Sequence, residues 1–174
     1  MKLAIISDTH AYDVTPWMEA VYERYLAPAD VLLHCGDFAS MSVWAWLAQH
    51  PAFHAVAGNM DDYSLSQELD VRRSLRLSGV EITMVHGFGY GPRVGLSASL
   101  ARAFDGQADL VCFGHTHQPE WARYGALRVV NPGSLREGGA EPTLAYVTIS
   151  PDGDLTHESV SVPGTVEAVR RGGA

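Results

Sequence analysis

The sequence predicts an α/β fold, and three features of its patterning carry that expectation. Short apolar runs of strand length end abruptly in polar loops, amphipathic stretches of helical spacing lie between them, and the order strand, loop, helix, strand repeats through the first third of the chain. Such alternation implies right-handed crossovers and a parallel sheet.

Taken in order, Lys2–Ser7 reads as a buried strand bounded by Asp8-Thr9-His10. Thr15-Pro16 has the chemistry of a helix start: a side-chain oxygen that can accept an orphan N–H, then a proline whose missing N–H is not needed in the first turn. Met18, Val21, Tyr22, Tyr25 and Leu26 recur at helical spacing. Asp30–His34 is the second strand, closed by Gly36-Asp37, and Ser42–Gln49 is a helix that stops before Pro51. Ala52–Ala57 is the third strand, closed by Gly58-Asn59. Beyond it the pattern changes. Ser74–Leu77 and Val80–Val85 flank Ser78-Gly79 as a hairpin. Leu96–Phe104 has an apolar helical face, and Leu110–Phe113 is another buried strand, ending at Gly114. Trp121–Val130 and Thr143–Val162 read as antiparallel strands, while Asp61–Ser66 reads as a loop. The Gly-rich, charged stretch 163–174 is expected to fray. No repeat or linker divides the 174 residues, so 1–174 is read as a single domain.

Composition narrows the function classes. An apolar share of 47% is that of a globular chain. The formal charge of −8 argues against nonspecific nucleic-acid binding, which needs lysine and arginine against the phosphates. Cys35 and Cys112 lie far apart and form no disulfide framework. The apolar start, Met1 to Ile6, is too short for a signal-peptide core, and no other run approaches the roughly 18 apolar residues of a membrane span. The expected location is the cytoplasm, with no membrane partner. No G-x-S-x-G elbow and no phosphate-cradling G-x-x-x-x-G-K-[ST] is present, and Gly87-Phe88-Gly89-Tyr90-Gly91 does not have dinucleotide-fingerprint spacing.

The informative fact is where the polar residues fall. Asp8 and His10 follow the first strand, Asp37 the second and Asn59 the third; His86 follows Val80–Val85, and His115 and His117 follow Leu110–Phe113. Ligands of α/β sheets bind beyond the carboxyl ends of strands. A mixed Asp, His and Asn set suits borderline divalent ions such as manganese, iron, zinc or nickel. Two such ions about 3.5–4 Å apart clamp a phosphoryl group, and Asp37, central in the set, is the candidate to bridge them. Turn formation alone would account for Gly36-Asp37 or Gly58-Asn59, but not for four histidines at comparable places. His34 is a core histidine or a partner that orients a ligand. Arg93 and Arg136 are solvated charges or contacts for substrate phosphate, and Asn131-Pro132-Gly133-Ser134 is a turn or a wall of the site.

Asp8–His10 as D-x-H, Gly36-Asp37 as G-D, Gly58–Asp61 as G-N-x-D, His86-Gly87 as H-G and Gly114–His117 as G-H-x-H occur in the order found in the calcineurin-like metallophosphoesterase superfamily. Over roughly residues 1–150 the chain resembles its small single-domain phosphodiesterase branch. The resemblance implies a β-sandwich of mixed sheets flanked by helices, with the site at one edge. It implies two divalent ions, manganese foremost with iron, zinc or nickel as alternatives. Asp8, His10, Asp37 and His117 would hold the first, and Asp37, Asn59, His86 and His115 the second. It further implies hydrolysis of a small phosphate-ester substrate by in-line attack of a bridging hydroxide, with Asp37, Asn59 and His86 as catalytic residues. Two positions depart from the pattern. Met60 stands where many relatives have a histidine that protonates the leaving oxygen, and Phe88 stands where branch members often read H-G-H. The alternatives are a non-catalytic scaffold of the same fold that binds partner proteins, or a phosphomonoesterase or nuclease. A homo-oligomer is compatible with the sequence.

Overall fold

In the computed structural model, which describes residues 1–172, two five-stranded sheets lie face to face. The first is built from β1 (Lys2–Ile6), β2 (Val31–His34), β3 (Phe53–Ala55), β9 (Thr143–Ile149) and β10 (Leu155–Ser161), in the order β10-β9-β1-β2-β3. The second is built from β4 (Arg72–Leu77), β5 (Val80–Val85), β6 (Leu110–Cys112), β7 (Pro119–Tyr124) and β8 (Leu127–Pro132), in the order β4-β5-β6-β8-β7. In each sheet three consecutive strands run parallel, β1-β2-β3 at one edge of the first and β5-β6-β8 in the middle of the second, and the remaining pairings are antiparallel.

The alternation of side chains along β1 explains why it reads as one apolar run. Leu3 and Ile5 enter the core between the sheets with Leu33, Ile82, Met84 and Leu110. Ala4 and Ile6 point the other way, against helices α1 (Pro16–Val21), α2 (Met41–Leu47), α3 (Tyr63–Glu68) and α5 (Val166–Arg171), through Trp17, Val21, Leu47, Leu65 and Val169. A strand buried on both faces needs no polar side. Helix α4 (Leu96–Ala103) covers the second sheet, setting Leu96 and Leu100 against Val85, Val111 and Phe113. The result is a β-sandwich of mixed sheets flanked by helices, as expected.

Four local features differ from the sequence expectations. Asp61–Ser66 is not all loop, because Asp62 accepts the Leu65 N–H at 2.8 Å and caps α3, whose one buried side chain, Leu65, leaves no periodic signal. The tail does not fray through 166–171: Thr165 caps α5, and Val169 is fully buried in the core beside α1. The remainder, 173–174, lies outside the described residues. After Val21 the helix winds into a π turn, Tyr22–Leu26, with the Ala27 N–H bonded to the Tyr22 carbonyl. Finally, β8 pairs antiparallel with β7 but parallel with β6, which brings the end of β8 to the same rim as the end of β6. No helix among the described residues is long and apolar enough to cross a membrane.

Candidate metal centre

The predicted site residues are delivered by both sheets. Asp8 and His10 leave β1, Asp37 leaves β2 and Asn59 follows β3, whereas His86 leaves β5, and His115 and His117 follow β6. The carboxyl ends of these strands meet at one rim of the sandwich, where the His115 N–H donates to Asp8 Oδ2 at 3.0 Å across the two sheets. The sequence indicates the strand ends but not that they belong to two sheets.

At this rim His117 Nε2 lies 3.1 Å and His10 Nε2 3.7 Å from Asp8 Oδ1, and the two imidazole nitrogens are 3.3 Å apart. Asp37 Oδ2 lies 3.8 Å from His10 Nε2 and 3.2 Å from His86 Nε2, so this oxygen stands between the His10 side and the His86 side. Two groups, Asp8–His10–His117 and Asp8–Asp37–His86, each place one ligand atom per residue within 4.8 Å of the others. Asp8 belongs to both groups. Its Oδ2, however, is engaged by the Ser7 hydroxyl at 2.6 Å and by the His115 N–H, leaving only Oδ1 facing the centre. The His115 ring sits edge-on to His86, with centroids 5.1 Å apart. Asn59 is exposed and shares a cavity wall with His86.

The residues fit a cation. Asp8 Oδ1 and His86 Nε2 are both buried and without a hydrogen-bond partner, a costly state for a polar atom. His86 Nδ1 lies 2.8 Å from the Cys35 carbonyl, which can only accept, so Nδ1 carries the hydrogen and Nε2 presents a lone pair. That lone pair faces the Asp37 carboxylate. Two acceptors so placed call for a positive charge between them, either a proton or a metal ion. Oxygen and imidazole donors without thiolate match borderline divalent metals.

The electrostatics follow the same logic. Burial works against a charged His86, yet the facing Asp37, together with Asp8, overcomes it and raises its pKa. Burial also works against the Asp37 carboxylate, and His86 and the Met60 N–H prevail to hold its pKa below the ordinary value. His10 and His115 are lowered, chiefly by burial, with His117 and Arg136 adding for His10, and His86 and Arg93 for His115. The surroundings therefore favour a positive charge at His86 and disfavour one at His10 and His115. In that state the His86–Asp37 pair contributes stability below the ordinary imidazole pKa of 6.5, and loses it as pH rises through the raised value. A divalent ion held by His86 Nε2 would compete with a proton for the same lone pair. Titration of Mn²⁺ into the apo-protein at pH 7, by calorimetry in two buffers of different ionisation enthalpy, is expected to report proton release that disappears in His86→Ala. Equal heats in the two buffers for the intact protein would contradict the assignment.

A set of supporting groups holds the ligands in place. Asp8, His10, Asp37, His115 and His117 all have φ between 45° and 67°, a region that side-chain-bearing residues seldom occupy. Asp61 is the group whose role the sequence leaves hidden. Its Oδ1 accepts the N–H of Phe38 at 2.6 Å and of Ala39 at 3.0 Å, and its Oδ2 that of Gly58 at 2.6 Å. One carboxylate thus ties the loop after Asp37 to the loop before Asn59. His34, fully buried, accepts the Gly36 N–H at 3.1 Å and stacks on Phe38 at 3.4 Å, so it orients the approach to Asp37 from within the core. Asn131 donates to the Gly114 carbonyl and Ser134 to the Asp8 carbonyl, each at 2.8 Å, which makes Asn131–Ser134 a brace of the site. Asp61→Ala removes three acceptor bonds. It is expected to lower metal affinity by about 10- to 100-fold, the range found when partners behind a metal ligand are lost. Mn²⁺ binding by calorimetry checks this, and unchanged affinity in a folded variant would rule it out.

A family model described as calcineurin-like phosphoesterase superfamily domain matches residues 1–152. The probable metallophosphoesterase YsnB of Bacillus subtilis is 27% identical over 157 residues, 88% of this chain and 86% of that protein. A structure described as a novel archaeal phosphodiesterase is similar with a TM-score of 0.71 at 22% identity, over 92% of this chain and 100% of that one. Zinc-complexed Vps29 from Entamoeba histolytica is similar with a TM-score of 0.69, also at 22% identity, over 92% and 99% of the respective chains.

Proposed function

The chain belongs to the calcineurin-like phosphoesterase superfamily, and from that premise we propose that it is a phosphodiesterase working through two divalent ions. The observation that carries the reading is Asp37 Oδ2, which reaches His10 on one side and His86 on the other. On this reading residues 1–174 act as a single domain. Asp8, His10, Asp37 and His117 hold one ion, Asp37, Asn59, His86 and His115 the other, and manganese is the first candidate. Bound divalent ions would supply Lewis acidity and a lowered pKa for water, the chemistry by which paired-metal centres hydrolyse phosphate esters in line.

The chain's own residues have separable tasks. Asp37 accepts the Met60 N–H at 2.7 Å on Oδ1, so Oδ2 is the oxygen left for the ions. His86 is fixed in tautomer by Cys35 and closes the centre from the second sheet. Asn59 offers a neutral amide oxygen at the exposed side of the centre. Met60, 60% exposed beside it, can neither give nor take a proton, so esters with acidic leaving groups are favoured.

The test is a panel of phosphomonoesters and diesters assayed after chelation and after return of single ions. Activity is expected to vanish on chelation and to return best with Mn²⁺. Aryl diesters are expected to turn over faster than alkyl diesters. Equal rates on the two would mean that another group supplies the proton. A protein that takes up metal yet hydrolyses nothing would instead support the scaffold reading, in which the same fold serves as a docking module.

A further inference from the structure

Most exposed large apolar side chains of the described residues lie in the loops at the strand ends that carry the candidate centre: Tyr12, Met60, Val71, Phe88 and Val94. Two of them, Val71 at 75% exposure and Phe88 at 64%, join Tyr90 in walling a cavity of about 260 Å³ whose lining also includes Asn59 and His86. We propose that this cavity is an aromatic subsite of the centre, taking the ring of an aryl-bearing phosphodiester. The proposal rests on the phosphodiesterase reading above and names its substrate class.

Three observations carry it. First, the cavity adjoins the centre, because His86 belongs to both its lining and a ligand group, so a ring lodged there would lie beside a phosphate held by the ions. Second, its walls suit a ring. Phe88 stands edge-on to His115 with centroids 5.7 Å apart, and Tyr90 is packed on Phe104 at 5.5 Å, so one aromatic wall is set against the site and the other against the core. Third, it differs in charge from its neighbours. The cavity beyond Thr116, about 560 Å³, carries Arg93 and Glu120, and the cavity beside His117, about 550 Å³, carries Arg136 and Glu141. The Phe88 cavity has no carboxylate, guanidinium or ammonium among its lining residues. A charged or sugar-like arm of a diester is better placed in either neighbour, and an apolar ring in this one. The volume falls just below the roughly 300–1,000 Å³ of pockets for drug-sized ligands, which is room for one ring and not for an extended chain. Aromatic stacking and burial of exposed apolar surface provide the attraction.

Non-hydrolysable phosphonates separate ring binding from turnover. Calorimetry on the Mn²⁺-loaded protein is expected to find phenylphosphonate bound about tenfold more tightly than methylphosphonate, equivalent to about 1.4 kcal/mol. Phe88→Ala should shrink that ratio to below about threefold and Phe88→Tyr should restore it, within the range of single-ring stacking. Phe88 is largely exposed, so its replacement leaves the core intact. Tyr63→Ala, on an exposed ring outside the cavity, should leave the ratio unchanged. A ratio that survives Phe88→Ala, or phosphonates that bind without any preference for the ring, would overturn the subsite while metal-dependent diester hydrolysis still stood. A ring preference lost in Phe88→Ala, in a protein that hydrolyses no diester, would uphold the subsite and overturn the catalytic reading.

Discussion

Asp37→Asn is expected to lower the affinity for divalent ions by about 10²- to 10⁴-fold and to remove diester hydrolysis with it. The substitution keeps the shape of the side chain and the acceptor for the Met60 N–H, 2.7 Å from Oδ1. What it removes is the negative charge on Oδ2, the atom that faces both His10 and His86. Asp37 is only 2% exposed, so water cannot replace the lost anion. Breaking a buried charge pairing costs roughly 3–5 kcal/mol, and each 1.4 kcal/mol is a factor of ten, which sets the range given. Metal content after dialysis and kcat/KM on an aryl diester provide the measurement. A decisive contrast is Asp8→Asn, which should weaken the His10–His117 side more than the His86 side. Full occupancy in Asp37→Asn would mean that Asp8, common to both ligand groups, is the shared anion instead.

Gly58→Ala is expected to cost about 3 kcal/mol of stability and to reduce activity more than 100-fold, although it alters no ligand. A Cβ at this position would overlap the backbone nitrogen and Oδ1 of Asp37 and would lie 2.8 Å from its Cα. A side chain in the way could rotate aside, but here the obstacle is largely backbone, already committed through the Phe38 and Ala39 N–H bonds to Asp61. Overpacking typically costs 1–3 kcal/mol, and a clash with backbone belongs at the upper end. For a chain of this length that corresponds to a fall in Tm of roughly 6–12 °C. The activity loss comes from displacement of Asp37, so thermal melting and turnover should fall together. A variant with native Tm and native rate would show that the two loops do not need this close approach.

How much of this was legible in the sequence depends on what kind of contact each feature uses. The strands were legible because β1, β2 and β6 are buried on both faces and present unbroken apolar runs. Asp8, His10, Asp37, His86, His115 and His117 were legible as a group because each lies within a few residues of a strand's carboxyl end, and the structure brings all six together. Asn59 arrives at the same rim but on its exposed side, in a cavity wall. Contacts that join a side chain to a distant backbone left no trace. Asp61 is marked by the Gly58–Asp61 motif, but its bonds to N–H groups more than twenty residues away cannot be read from that spacing. Helix α3, with one buried residue, and α5, with Val169 as its buried contact, are too short for periodicity to identify, and tertiary packing decides them. The division of the ligands between two sheets was equally hidden, since strand order is set by long-range pairing.

The left-handed backbone at Asp8, His10, Asp37, His115 and His117 has a consequence for the history of such a chain. Conformations of this kind cost on the order of 1–3 kcal/mol each and persist only where surrounding contacts enforce them. A descendant relieved of holding cations would therefore gain robustness by drifting to glycine or asparagine at these five places. On the proposed metal reading, aspartate and histidine at these five places give up that robustness in exchange for ligand chemistry.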